Sequence, residues 1–287
     1  MSVDILLATY NGGPFLKELL ESIFCQSYRD FRLLIRDDGS DDSTCDILKE
    51  HADPRIEWIV DTQGRLGPIG NFNALLQASD AKVIFLADQD DIWHPHKVET
   101  MLRHLRTDRP FLLHSDLEVV DAHKNRIHPS FWRYAHLQPE KATQFHRILV
   151  QNPVTGCAAA FTRSLKEIVG EIPQTAMMHD AWLALVAAAF GTVATLDEPL
   201  VQYRQHGKNA IGAKRFRWQG FKQRRQAYFA SQMQAKSFLD IFGDRLGPSL
   251  QATLHAYLSQ NRFAWIKHRL FKQGCLRNLA HLVLPYV

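Results

Sequence analysis

The chain has 287 residues, 46% of them hydrophobic and 22% charged, with 15 Gly, 12 Pro and a formal net charge of +4. That composition excludes a disordered, collagenous or disulfide-scaffold protein, and the length suffices for one large domain plus an appendage. The mean charge conceals an asymmetry: residues 205–287 carry 14 Lys and Arg against two acids, while the rest of the chain carries 20 basic and 28 acidic residues.

In chain order, Val3–Ala8 is a short apolar run ended by the turn Tyr10–Gly13. It carries the acidic Asp4 and no basic region precedes it, so no secretory signal is expected. Phe15, Leu16, Leu19, Leu20, Ile23 and Phe24 recur at helical spacing. Phe31–Ile35 predicts a strand, Asp37–Ser43 a polar turn, and Ile47 and Leu48 sit in the next helix. Arg55–Val60 predicts a third strand, Ile69–Gln77 a helix, Lys82–Ala87 a fourth strand and Pro95–Leu105 a helix. This β-α-β-α-β-α-β alternation predicts an α/β fold: a mostly parallel sheet, right-handed crossovers and helices on both faces. Further on, Phe111–Val120, Ala158–Phe161 and Thr192–Leu196 predict strands, and Asp180–Phe190 a buried helix. The apolar stretch Ala181–Phe190 is too short for the roughly 18–20 residues that span a bilayer. From about Phe216 the pattern is helical, with breaks at Gly243, Pro248 and Gly274. The expected division is 1–212 for the α/β domain and 213–287 for a basic helical region. Cys25, Cys45, Cys157 and Cys275 have no paired spacing, which suits a reducing cytosol and gives no sequence-evident zinc site.

In a parallel sheet, ligands sit beyond the carboxyl ends of the strands, and there this sequence places its polar residues. Asp88-Gln-Asp-Asp91 follows the fourth strand. Carboxylates gathered at one strand end repel one another unless a cation or donors neutralise them, and Mg²⁺ and Mn²⁺ prefer such oxygen ligands. The plainer alternative is a solvated turn in which Asp91 caps the next helix. Asp37-Asp-Gly-Ser-Asp-Asp42 is similarly double-edged. Asp41, Asp42 or Ser43 can cap a helix, whereas Asp37 at the strand tip can accept hydrogen bonds from a nucleobase or ribose. Tyr10 offers a ring for base stacking or, alternatively, a core-edge aromatic. Gly64–Phe72 is a Gly-rich loop entering a helix, which suits phosphate, but it is neither a G-x-G-x-x-G nor a P-loop pattern. His179-Asp180 precedes an apolar helix, where Asp180 is either an N-cap or a general base towards a hydroxyl. His206 ends a strand-like stretch beginning at Val201.

Five pieces in this order resemble family-2 glycosyltransferases of the GT-A fold: Ala8–Gly12, Asp37–Ser43, Leu66–Phe72, Asp88–Trp93 and His179-Asp180. The resemblance covers about residues 3–210, and D-Q-D-D-I-W, the His-Asp pair and Tyr203–Asn209 are similar to the bacterial rhamnosyltransferase-like branch. It implies an inverting transfer of a sugar, rhamnose as first guess, from a dTDP- or UDP-linked donor to a glycan or glycolipid acceptor. By it, Thr9, Tyr10, Asn11, Asp37, Asp38, Asn71 and Asp88 would bind the donor, Asp88 through the ribose or a metal-bound water. Asp88 and Asp90 would form the D-x-D element with Mn²⁺ or Mg²⁺, and His206 would approach the cation or diphosphate. Asp180 would be the base; many relatives carry Glu-Asp where this chain has His179-Asp180, so only the Asp is carried over.

Lys214–Phe229 mixes aromatic and cationic residues, suiting either an interfacial helix on anionic lipid or a helical subdomain packed on protein. No nucleic-acid recognition motif accompanies it. The expected location is the cytoplasm, peripheral on the inner face of the cytoplasmic membrane. The competing readings are a nucleotidyltransferase, disfavoured because Thr9–Pro14 holds no basic residue, and a non-catalytic nucleotide-sugar-binding or scaffold protein.

Overall fold

The computed structural model describes residues 1–141, 143–207 and 221–259, and the chain divides into two compact units with the break between Arg217 and Trp218. The first unit runs β1 (Val3–Thr9), α1 (Gly13–Phe24), β2 (Arg32–Asp37), α2 (Thr44–Glu50), β3 (Ile56–Trp58), α3 (Gly67–Ala78), β4 (Val83–Asp88), β5 (Ile92–Trp93) and α4 (Lys97–His104). It continues with β6 (Phe111–Asp121), β7 (Arg126–His128), α5 (Phe131–Tyr134), α6 (Phe145–Ile148), β8 (Ala159–Thr162), α7 (Arg163–Val169), α8 (His179–Phe190) and β9 (Thr192–Gln205).

The sheet order is β3-β2-β1-β4-β8-β6-β9-β5, with β7 alongside β6. The strands β3, β2, β1 and β4 are mutually parallel, as are β6 and β9. β8 runs antiparallel between β4 and β6. The result is the mixed, mainly parallel α/β sheet that the alternating pattern predicts. Both faces are buried because helices cover both, so the strands read as continuous apolar runs. Ile5, Leu7, Leu33, Ile35, Val83 and Phe85 form one core with Leu16, Leu19, Leu20 and Ile23 of α1, Leu48 of α2, and Val98 and Met101 of α4. The alternate residues Leu6, Leu34, Ile84 and Leu86 are equally buried and face the other way, the side on which α3 packs against β1 and β2. From β1 the chain crosses to β2 on one side and returns through β3 to β4 on the other. Thr9 therefore lies opposite Asp37, and Ala8 opposite Asp88. This reversal is a topological switch point, where open α/β sheets bind ligands.

Several boundaries differ from the sequence pattern. β9 extends well beyond Leu196, because exposed Asp197-Glu198-Pro199 interrupts the apolar run while the strand shifts register opposite Ser115–Glu118 and continues. β4 ends at Asp88, so Asp90 lies in the turn beyond the strand. α4 begins at Lys97, and Asp91 does not cap it: that residue is fully buried, with Oδ1 accepting the Arg204 backbone N–H at 3.0 Å.

The described part of the second unit is helical. It holds α9 (Phe221–Phe242) and α10 (Pro248–Ser259), joined by the Tyr257 hydroxyl on Ser231 Oγ at 3.0 Å. The aromatic–cationic segment lies outside the described residues up to position 220, as does the break at Gly274. Among the described residues no helix is long and apolar enough to cross a membrane.

Candidate active site

At the tips of β1 and β2, side chains are cross-braced. Thr9 is buried and donates from Oγ1 to Asp37 Oδ1 at 2.8 Å. Asp37 also accepts the Ser40 N–H at 2.7 Å, the Ser40 hydroxyl at 2.6 Å and the Gly39 N–H at 3.1 Å. Burial raises its pKa, but the bonds from Ser40 and Thr9 outweigh that and hold the carboxyl below its ordinary range. Asn11, at φ 50°, accepts the Asp41 N–H on its Oδ1 at 3.0 Å, while its own N–H goes to Ser40 Oγ at 2.8 Å. Tyr10 is fixed by a two-way pairing with the Gln89 amide, each bond 2.8 Å. A Cβ on Gly12 would sit 2.3 Å from Gln89 Oε1, so glycine is needed for this approach. The Arg65 guanidinium lies 3.9 Å from the Tyr10 ring centroid, a cation–π contact over the face expected to stack a base.

Asp38 and Asn71 are buried beneath this surface. Asp38 accepts the Leu66 and Gly67 N–H groups at 2.7 and 2.8 Å and Arg36 Nη1 at 2.9 Å. Two backbone donors of the Gly-rich loop are thus taken by a carboxylate of the chain itself, not left for phosphate. Asn71 donates to the Thr9 and Arg36 carbonyls at 3.4 and 3.3 Å and accepts from Arg36 Nη1. Thr9, Asp38 and Asn71 therefore brace the strand tips and the loop, and Tyr10, Asn11 and Asp37 are left as the partly exposed members of the set.

The turn after β4 gathers the acidic groups. Asp88 has its pKa pushed up to about 7 by burial, then by the Asp90 and Asp180 carboxylates. Asp90 Oδ2 is 2.8 Å from His206 Nε2, joining residues 116 positions apart in sequence. His206 in turn stacks on Phe15 with ring centroids 4.5 Å apart. Behind the turn, Lys97 is fully buried; its Nζ donates to the Cys157 carbonyl and lies 3.2 Å from the Trp93 ring centroid. Burial brings Lys97 down to about 7, against the pull of the Asp91 and Asp88 carboxylates.

Asp180 approaches from the start of α8. It is the second helical residue, not the N-cap, which is Met178. Its Oδ2 accepts the Gly156 N–H at 3.1 Å and its Oδ1 the Asn152 amide at 3.4 Å. Burial lifts its pKa to about 6 despite these donors, which leaves it mostly ionised near neutrality yet basic enough to accept a proton. His179 packs on Phe72 at 3.9 Å between centroids. A Cβ on Gly156 would meet His179 Nε2 at 2.7 Å, so that glycine lets His179 of α8 seat against the Gly156–Ala158 turn before β8.

The fold thus makes Asp90 and Asp180 neighbours of Asp88 and holds His206 on Asp90. Convergent carboxylates with an imidazole suit a hard divalent cation. Asp88, Asp91 and Cys157 also place ligand atoms within 4.8 Å of one another. However, Asp91 and Cys157 are fully interior, and burial holds the Cys157 thiol well above its ordinary range, as a neutral group. Asp90 and His206, paired with each other and only partly buried, are the more open groups beside Asp88. Sequence reading missed Arg204, whose side chain is 3% exposed and whose Nε donates to the Asp90 carbonyl at 2.9 Å. The signal was an Arg two residues before the His in Tyr203–Asn209.

Residues 4–169 match the family model "Glycosyl transferase family 2". A dTDP-rhamnosyl transferase of Shigella flexneri, RfbG, is 27% identical, with 72% of this chain and 74% of that protein covered. An uncharacterized glycosyltransferase of Nostoc is 27% identical over 73% of this chain. A UDP-Glc:α-D-GlcNAc-diphosphoundecaprenol β-1,3-glucosyltransferase of Escherichia coli, WfaP, is 30% identical over 41% of it. The chain spans 66% of the Nostoc protein's length and 46% of the E. coli protein's. Among solved structures, S. aureus TarS in complex with UDP-GlcNAc shares the fold at a TM-score of 0.65 and 15% identity, covering 99% of this chain and 76% of TarS. A Pyrobaculum calidifontis mannosyltransferase with GDP-Man and Mn²⁺ does so at 0.60 and 17%, covering 96% and 75%.

Proposed function

The chain belongs to glycosyl transferase family 2, and from that premise we propose that it moves a sugar from a dTDP- or UDP-linked donor, with inversion, to a hydroxyl of a bacterial surface glycan or glycolipid. The observation that carries this reading is geometric: β1 lies between β2 and β4 with Thr9 opposite Asp37 and Ala8 opposite Asp88, so the acidic turn with its Asp90–His206 pair stands beside the strand tips that carry Tyr10, Asn11 and Asp37. Rhamnose is the first choice of sugar, supported by the Shigella relative.

Tyr10, Asn11 and Asp37 would bind the nucleoside, on a frame held by Thr9, Asp38 and Asn71. Asp88, Asp90 and His206 would hold Mn²⁺ or Mg²⁺, which stabilises charge developing on the departing nucleoside diphosphate. A leaving group stabilised in that way needs no protonation, so one carboxylate suffices for the protein's part, unlike hydrolases with their acid–base pair. Asp180 would take the proton from the acceptor hydroxyl as that oxygen attacks the anomeric carbon from the face opposite the diphosphate. The reading is tested by titrating dTDP-rhamnose, UDP-glucose and UDP-GlcNAc with and without MnCl₂, using thermal shift and product analysis. A donor that stabilises the fold only with the cation supports it, and transfer that persists in excess chelator refutes the cation's part.

The basic region 213–287 is proposed to hold the enzyme on anionic lipid at the inner face of the cytoplasmic membrane, supported by its charge excess and by exposed Phe229 and Met233 on α9. Truncation after Gly212 should then abolish flotation with phosphatidylglycerol vesicles. Vesicles that ignore the full chain refute this part alone.

A further inference from the structure

Arg204 is a cation in the interior, its side chain 3% exposed, and burying a charge is costly unless it is paired and hydrogen-bonded. Its partners come from separate parts of the chain. Nε donates to the Asp90 carbonyl at 2.9 Å, Nη1 to the Ala122 carbonyl at 3.2 Å, and Nη2 to Glu18 of α1. The guanidinium lies 4.7 Å from the Phe15 ring centroid, and Phe15 is the ring on which His206 stacks. The Arg204 backbone N–H is itself fixed by Asp91 Oδ1. Arg204 thus grips the acidic turn from both main chain and side chain, two residues before His206.

Resting on the proposed function above, we infer that Arg204 is a positioning residue for the cation site: it sets the distance between Asp90 and His206. Asp90 belongs to the turn after β4 and His206 follows β9, and no short local connection fixes one against the other. The strand β9 meets β5 in only a brief antiparallel pairing, Ile92 with Gln202 and Trp93 with Val201. The bonds from Arg204 to the Asp90 carbonyl and from the Arg204 N–H to Asp91 continue that pairing to the level of His206. A planar fork can hold the Asp90 and Ala122 carbonyls and the Glu18 carboxylate at once, which a lysine ammonium on a flexible stem cannot do in the same geometry. Arg204 itself need touch neither donor nor cation.

The test measures UDP binding calorimetrically, with and without MnCl₂, for the wild type, Arg204→Met, Arg204→Lys, His206→Ala and the Arg204→Met/His206→Ala pair. Expected is a loss of about tenfold in the Mn²⁺-dependent gain in UDP affinity for Arg204→Met, with metal-free UDP binding changed less than about twofold. Arg204→Lys should recover only part of the gain. In the His206→Ala background the Arg204→Met loss should shrink, because one of the groups it positions is gone. If Arg204→Met keeps the full gain, or if UDP binding falls equally with and without the cation, the inference is overturned while the cation site stands; strictly additive losses in the pair do the same. A wild type that binds UDP no better with Mn²⁺ overturns the cation reading and this inference with it.

Discussion

Replacing Asp180 with asparagine should make the protein more stable while removing turnover. Burial holds this carboxyl at about 6, against an ordinary 3.8. An acid held above its ordinary value folds best when protonated. Its contribution is fully present below 3.8 and is lost as pH rises through about 6. At neutral pH the ionised side chain therefore costs stability, at most about 3 kcal/mol at about 1.4 kcal/mol per tenfold change. Asp180 is only partly buried by surface exposure, and solvent screening reduces the figure to roughly 1–2 kcal/mol. The substituted amide cannot ionise, yet its oxygen can still accept the Gly156 N–H. For a unit of this size, the gain corresponds to a rise in melting temperature of roughly 3–6 °C. Scanning calorimetry of both proteins without donor or metal, from pH 4 to 8, gives the check. The gap should be small near pH 4, open through pH 6 and level off above pH 7. A variant that melts lower than wild type at neutral pH, or a gap independent of pH, would show that Asp180 is not a desolvated carboxylate and would remove the ground for its role as base.

Asp90→Ala should abolish Mn²⁺-dependent UDP binding, and cost at least about a hundredfold in transfer rate, without lowering the melting temperature; chelator-resistant activity in wild type would contradict it. Asp38→Ala leaves the interior Arg36 without one of its carboxylates and releases the loop at Leu66 and Gly67. It should cost about 3 kcal/mol in urea unfolding, and a loss under about 1 kcal/mol would be inconsistent with the bracing role. Gly156→Ala pushes a methyl group against His179 and disturbs the donor to Asp180. About 1–3 kcal/mol of stability should be lost, with kcat falling more than donor KM. Tyr10→Ala should weaken UDP binding by about tenfold through lost ring contact, and unchanged affinity would place the base elsewhere.

The sequence by itself determined the layered architecture, because each parallel strand must be a short apolar run and each crossover helix must show its own period. Val3–Ala8, Lys82–Ala87 and the Phe15–Phe24 repeat are local patterns of that kind. It also marked where chemistry would sit, since Asp37, Asp88 and Asp90 stand at or just past strand ends in a fold whose ligands bind there. Tertiary structure alone decided which polar residues face outward and which work beneath. Asp37 and Asp38 are adjacent in sequence, yet one stays partly open at the strand tip while the other is sealed under the Gly64–Gly67 loop. Asp91 reads as a helix cap and is instead a buried acceptor for Arg204, 113 residues away. No period or spacing encodes a hydrogen bond across such a distance: it exists only after β9 has been laid beside β5 and β6, where the bond offsets the cost of taking both groups out of water.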